Sequence, residues 1–238
     1  METSNEPAGW DAGRPCMRGD GGMQVQQAIW VCVVAGGLVA GEALGAAAWA
    51  GPPTEAVRKT IDEVIHIVDD PAWKKPEKKE ERRKLLERTI SQRFNYPEMA
   101  KRTLGAEWGK RTPEEQKEFS ANFQTLLTNT YIGRIEAYSG EKVQYLKELN
   151  DGEFAEVYTH VDTGKSVIDI SYRLQKNSDE WSVYDVVVEG TSLVQNYREQ
   201  FKRILRKDSF AGLSKQLREK SSNIRAPVPD GSDTARSR

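Results

Sequence analysis

Tyr184, Asp185, Glu189 and Arg198 form the one polar set in the chain with the makings of a reaction centre. They fall around the end of the last predicted strand and in the segment after it. A carboxyl or phenol held among apolar residues is the usual setting for general acid–base chemistry. This set has no nucleophile, no metal set and no second convincing acid beside it. Structural hydrogen bonding therefore outweighs catalysis as the role of Asp185. The two histidines, His66 and His160, and the two cysteines, Cys16 and Cys32, have no metal-ligand spacing. No Gly-rich nucleotide loop, GxSxG elbow or HExxH pair is present. The residues call for no catalytic group, no metal and no cofactor.

Charge narrows the classes further. The 238 residues hold 35 Lys and Arg against 36 Asp and Glu, a net charge of −1. A nucleic-acid binder would show a basic excess, so no nucleic-acid partner is expected. The length suits one domain or two small ones.

The first 50 residues read as an export signal. Ala28 to Ala40 is an apolar run of 13 residues, shorter than the roughly 20 a membrane-spanning helix needs. It has the length of a signal-peptide core, and Ala48 and Ala50 form an A-x-A site behind it. Cleavage is expected after Ala50, with Ala48 the near alternative. The acidic stretch before the apolar run is a poor signal start, so translation from Met17 or Met23 instead of Met1 stays open. Removal of residues 1–50 takes away two basic and five acidic residues and both cysteines, leaving a charge of +2. The expected organisation is a signal peptide over 1–50, one domain over 51–220 and a polar, disordered tail over 221–238.

Periodicity divides the domain in two. Residues 54 to 138 read as helical. Val57, Ile61, Val64, Ile65 and Val68 share one helix face, with His66 opposite. Residues 77–93 make a charged helix whose mixed signs suit a solvated face. Thr112, Pro113 and Glu115 make an N-cap, a first-turn proline and a capping box, opening a helix expected to end near Tyr138. Phe119, Phe123, Leu126, Leu127 and Tyr131 share a face of that helix. Ile132 and Ile135 lie off it, so its second half is apolar over more than one packing partner needs. That asks for two protein partners, or one partner and a ligand. From residue 141 the period becomes two. Strands are expected at 141–149, 153–162, 165–176 and 180–190, joined by short polar turns into an antiparallel meander. The last strand is apolar on both faces. Helices over 193–205 and 209–220 close an α+β domain. Surplus apolar positions on the long helix and the last strand suit an enclosed apolar cavity.

Two ordered blocks carry a family resemblance. The first is Phe94-Asn95-Tyr96-Pro97-Glu98-Met99-Ala100, then Leu104-Gly105, Trp108, Thr112-Pro113-Glu114-Glu115-Gln116, Phe119, Phe123, Leu126-Leu127 and Tyr131. The second runs from Trp181 through Val183-Tyr184-Asp185-Val186, Glu189-Gly190 and Ser192-Leu193-Val194 to Asn196-Tyr197-Arg198 and Gln200-Phe201. Together they resemble the MlaC-type, toluene-tolerance family of periplasmic phospholipid-binding proteins, over about residues 54–220. The resemblance implies a curved four-stranded antiparallel sheet with helices around a lipid pocket, and no catalytic residues. It implies a periplasmic carrier moving phospholipid between outer and inner membranes. The implied partners are a lipid-binding subunit of an inner-membrane ABC transporter and an outer-membrane lipoprotein complex. Lipid contacts are then expected from Phe119, Phe123, Leu127, Tyr131 and Ile135 on the long helix, and from Ile168, Ile170, Val183 and Val187 on the sheet, with the face of the 180–190 strand that meets lipid left open. A hopanoid cargo within the same family stays open, as does a ketosteroid-isomerase-like cavity enzyme using Asp185.

Overall fold

The computed structural model describes residues 51–225. The expected signal peptide, both cysteines and residues 226–238 of the expected tail lie outside the described residues.

Helix α1 (Pro52–Asp69) opens where two prolines leave no backbone N–H to satisfy. The next N–H, on Thr54, donates to Oε2 of Glu148 at 2.9 Å, and the Thr54 hydroxyl donates to the same oxygen at 2.7 Å. A strand carboxylate therefore caps this helix from 94 residues away and complements its positive end. Val57, Ile61, Val64, Ile67 and Val68 are buried, while His66 faces solvent.

The charged helix α2 (Lys79–Arg93) follows a short 3-10 turn. It is held at one end by Arg82, whose guanidinium pairs with Glu136 at 3.2 Å and donates to the Trp73 carbonyl at 3.3 Å. At the other end Arg93 donates to the Thr60 hydroxyl at 3.1 Å and the Trp181 carbonyl at 2.5 Å. Helix α3 (Tyr96–Leu104) is an element that apolar spacing alone does not separate from its neighbours. Asn95 caps it by accepting from Glu98 N–H at 3.0 Å, with Pro97 in its first turn. Helix α4 (Pro113–Ile135) begins with the expected capping box of Thr112 and Glu115. It ends three residues before Tyr138, which lies beyond the turn that follows.

The sheet has five strands, not four. Strands β1 (Lys142–Asn150), β2 (Phe154–Asp162), β3 (Val167–Asn177), β4 (Glu180–Val188) and β5 (Thr191–Ser192) form an antiparallel meander in sequence order. The added strand arises because Glu189 and Gly190 both take positive φ, 47° and 73°. That geometry closes a two-residue hairpin, so Thr191 pairs with Val188 and Ser192 with Val187. Helix α5 (Leu193–Leu205) starts directly after β5, and α6 (Phe210–Arg225) follows. The last helix thus covers residues 221–225, five positions that the sequence places in the tail.

Strand β4 holds the feature that alternation misses. Val183 pairs with Leu174 and Asp185 with Arg173, leaving Tyr184 as the extra residue of a β-bulge. Parity switches there. Trp181 and Val183 before it, and Val186 and Val188 after it, pair with Lys176, Leu174, Tyr172 and Ile170 on one continuous face. The both-faced apolar pattern is therefore one apolar face read across a register shift.

Three apolar clusters fill the interior. One joins the inner sheet face to Val57 and Ile61 of α1. A second unites α3, α4, α5 and α6. The third sets Ile132 and Ile135 of α4 against Val64, Ile67 and Val68 of α1 and Leu86 of α2. The broad apolar arc of α4 thus serves two protein clusters.

Gly105 ends α3 at φ 57° and ψ −125°, a conformation open to little but glycine. A Cβ there would also sit 3.1 Å from Nη2 of Arg198. Gly105→Ala is expected to lower unfolding free energy by about 1–3 kcal/mol. Gly109→Ala, with nothing within 4 Å of the added carbon, serves as the control in the same thermal melts and should change far less.

Candidate functional site

An apolar cleft lies between the helices and the last strands. About 920 Å³ of unfilled space lies in it, its open mouth included. Helix α4 supplies Leu127, Thr128, Tyr131, Ile132 and Ile135 along one wall. Ile90 and Glu87 of α2, Phe94, and Tyr96 and Met99 of α3 form another. The sheet side is Tyr172, Val186, Val188, Thr191 and Ser192, with Leu193 and Asn196 of α5 closing the end.

The bulge in β4 and the elbow between α2 and α3 position these walls. Asn95 N–H donates to the Val183 carbonyl at 2.8 Å, so the elbow is bonded to β4 just before the bulge. Phe94 and Tyr96 flank that bond, with ring centroids 6.1 Å apart. Past the bulge, Val186 and Val188 face the cleft and Asp185 faces away from it.

Asp185 is buried and fully engaged. Oδ1 accepts from Val194 N–H at 3.0 Å. Oδ2 accepts from the Ser192 hydroxyl at 2.6 Å and from Nη1 of Arg173 at 3.3 Å. The Ser192 oxygen in turn accepts from Gln195 N–H at 3.0 Å, so serine and aspartate together cap α5. Burial pushes the Asp185 carboxyl above its ordinary pKa, opposed by the Ser192 hydroxyl, the Val194 amide and Arg173. Glu189 turns to β3, accepting from Asp169 N–H at 2.6 Å. Arg198 lies over Gly105. Tyr184 stacks under the Arg102 guanidinium, 4.0 Å from its ring centre. The four polar residues singled out in the sequence thus serve four different places.

The nine expected contact residues divide in the same way. Leu127, Tyr131 and Ile135 line the cleft. Phe119 and Phe123 do not: they pack in the aromatic cluster with Tyr197, Phe201 and Phe210, at centroid distances of 5.2–5.8 Å to these rings. Their half of α4 is covered by α5 and α6 before any ligand could reach it. Ile168, Ile170 and Val183 belong to the core with α1. Val187 is displaced to the opposite face of β4 by the bulge, where it pairs with Ser192. Val186 and Val188, on the strand face that the sequence left open, line the cleft, and periodicity did not single out Ile90, Phe94, Tyr96, Met99, Tyr172, Leu193 and Asn196. Several of these stand in the two family blocks, which is the signal that could have located them.

Tyr96 and Tyr131 line the cleft, and Tyr197 is buried in the neighbouring aromatic cluster. Burial pushes the Tyr96 hydroxyl up to about 12, tempered by hydrogen bonds with Ser91 and Thr128. The Tyr197 hydroxyl is pushed to about 12 by burial as well. Burial beside Tyr197 carries Tyr131 well above the ordinary value. Among the described residues no group of His, Cys, Asp and Glu is placed to hold a metal.

The MlaC protein family model matches residues 58–219. The chain belongs to the MlaC family. The intermembrane phospholipid transport system binding protein MlaC of Haemophilus influenzae is 26% identical over 127 residues, covering 51% of this chain and 59% of that protein. The toluene tolerance protein ttg2D of Pseudomonas putida is 30% identical over 95 residues, 39% of this chain and 44% of that one. The chain spans about half the length of these curated relatives. A solved phospholipid-binding protein from Ralstonia solanacearum, in complex with a phospholipid, matches with a TM-score of 0.65 and 24% identity. The match covers 73% of this chain and 99% of that one. That likeness shows a shared fold.

Two outcomes follow for this member. Asp185→Asn turns an amide toward two donors, the Ser192 hydroxyl and Arg173, and should destabilise by about 1.5–3 kcal/mol. An unchanged melting temperature would remove Asp185 from its structural role. In alkaline titration at 295 nm, Tyr96 and Tyr197 should stay neutral past pH 10, where free tyrosine ionises. The fold holds these protons where the unfolded chain releases them, so stability should fall as pH rises from 10 toward 12. Tyr96→Phe should remove one phenol from the late phase.

Proposed function

We propose that the chain is a periplasmic carrier of phospholipid, the soluble component of an ABC-transporter lipid-transport pathway. The observation that carries this reading is the apolar cleft, open to solvent, in a chain of the MlaC family. Acyl chains enter between α4 and the Val186–Val188 segment, and the headgroup stays at the wet mouth. The motive is hydrophobic: each methylene taken from water is worth ~0.8 kcal/mol. A lipid monomer crossing an aqueous compartment needs such a shield. Among the described residues no helix is long and apolar enough to cross a membrane, and the export signal read in residues 1–50 supplies the route to the periplasm. The partners on this reading are the lipid-binding subunit of the inner-membrane ABC transporter and an outer-membrane lipoprotein complex, and the cycle needs no catalytic step. An acid–base role for Asp185 has no support in its geometry, because its oxygens are occupied and it faces away from the cleft.

Native mass spectrometry of the periplasmic protein, followed by solvent extraction, tests the proposal. The expected result is a bound mass of ~700 Da that resolves into diacyl phospholipid, whose paired chains gain most from burial in an apolar cleft. Leu127→Trp and Val188→Trp fill the cleft and should lower lipid occupancy severalfold. Phe123→Leu should lower the melting temperature yet retain lipid, because Phe123 lies in the neighbouring cluster. A hopanoid in the extract would keep the carrier and change its cargo. Empty wild-type protein would overturn the reading.

A further inference from the structure

Glu148 has one oxygen that the fold leaves underused, and it faces the first residue of the expected mature chain. Its Oε2 accepts both Thr54 donors. Among the described residues its Oε1 has only the Asn150 side-chain amide, at 3.4 Å, too long for a strong bond. A Cβ built on Gly51 would fall onto this same Oε1, so the absence of a side chain at 51 is what lets the carboxylate reach the backbone. Pro52 and Pro53 follow, and neither has an N–H to offer. Glu55 N–H is already bonded to the Gly51 carbonyl at 3.1 Å.

We propose that processing occurs at the Ala50–Gly51 bond and that the α-ammonium it releases docks on Oε1 of Glu148. This rests on the export reading above. A leader-removing protease adds water across the bond. The C–N bond breaks, the water oxygen stays on the Ala50 carbonyl carbon as a carboxylate, and the Gly51 nitrogen becomes an ammonium. One neutral donor is thereby replaced by a cation with three. A cation at a helix start opposes the helix dipole, and an unpaired one would weaken α1. Glu148 supplies the compensating charge, so cleavage at this bond adds to the helix cap an ion pair between the chain start and β1. The nearby charges are accounted for: Glu55 and Arg58 pair with each other at 3.5 Å on the first turns of α1. On β1, Lys147 lies over the Tyr158 ring at 4.3 Å.

The test uses the full chain expressed in a Gram-negative host. Intact mass of the periplasmic protein should correspond to a start at Gly51. An uncleaved chain would overturn the export reading along with the pairing; a start at Trp49 would overturn the processing site and the pairing and leave the export reading standing. The α-amine of the recovered protein is then acylated at neutral pH with an amine-selective reagent. In the native wild type it should react about fivefold more slowly than in Glu148→Gln, the effect of a pKa difference of ~0.7. The answer does not depend on that variant folding: the native wild type should also react about fivefold more slowly than the same protein in urea. Equal rates in both comparisons would overturn the pairing while leaving the carrier reading untouched.

Discussion

The bulge at Tyr184 in β4 is the constraint on which the rest of the domain depends. One extra residue turns Val186 and Val188 toward the helices and turns Asp185 away from them. Asp185 then meets the start of α5 through Val194 N–H and Ser192. A buried carboxylate is tolerated there because both of its oxygens have donors. Without the bulge, the strand would present Asp185 to the apolar interior and Val187 to it as well, and α5 would lose its cap. The sheet wall of the cleft and the placement of its end helix are therefore one structural event.

The cleft persists because its walls are held by polar bonds at their edges while apolar packing is completed elsewhere. Arg82 and Arg93 tie the two ends of α2 to the body. Asn95 bonds the elbow to β4. Asn129 of α4 receives Arg83 at 3.2 Å and donates to the Ser221 carbonyl at 2.8 Å, joining α2, α4 and α6. The two halves of α4 bury themselves in separate clusters. Where these clusters diverge, Leu127 and Tyr131 are left facing open space. A cavity costs stability in proportion to its unfilled surface.

The family match runs over 58–219, which includes every element that borders the cleft. Three residues of the matched blocks have structural roles: Asn95 as a cap, Asp185 as a helix anchor and Gly105 as a terminator that accommodates Arg198. The cleft itself is lined mainly by apolar side chains.

How much of this was legible in residue order varies by element. Capping residues, prolines and short polar turns are local signals, and they delimited α1, α2, α4 and β1 to β4 to within a few residues. The family blocks pointed to the fold class and cargo class for the same reason, since ordered residue patterns travel along the chain. Helix α3 was not separated because its limits depend on Asn95 reaching β4 and on the special backbone of Gly105. The site residues were legible only in part. Leu127, Tyr131 and Ile135 follow from the surplus apolar arc of α4. Phe119 and Phe123 have the same periodicity, yet α5 and α6 cover them first. Val187 and Val188 are chemically equivalent, and one unpaired residue decides which of them faces the cleft. Sequence by itself determined which segments form helices and strands and which faces are apolar, because hydrogen-bond periodicity and capping are local. Tertiary structure alone decided which apolar faces meet each other and which are left open, because burial depends on neighbours far away in the chain.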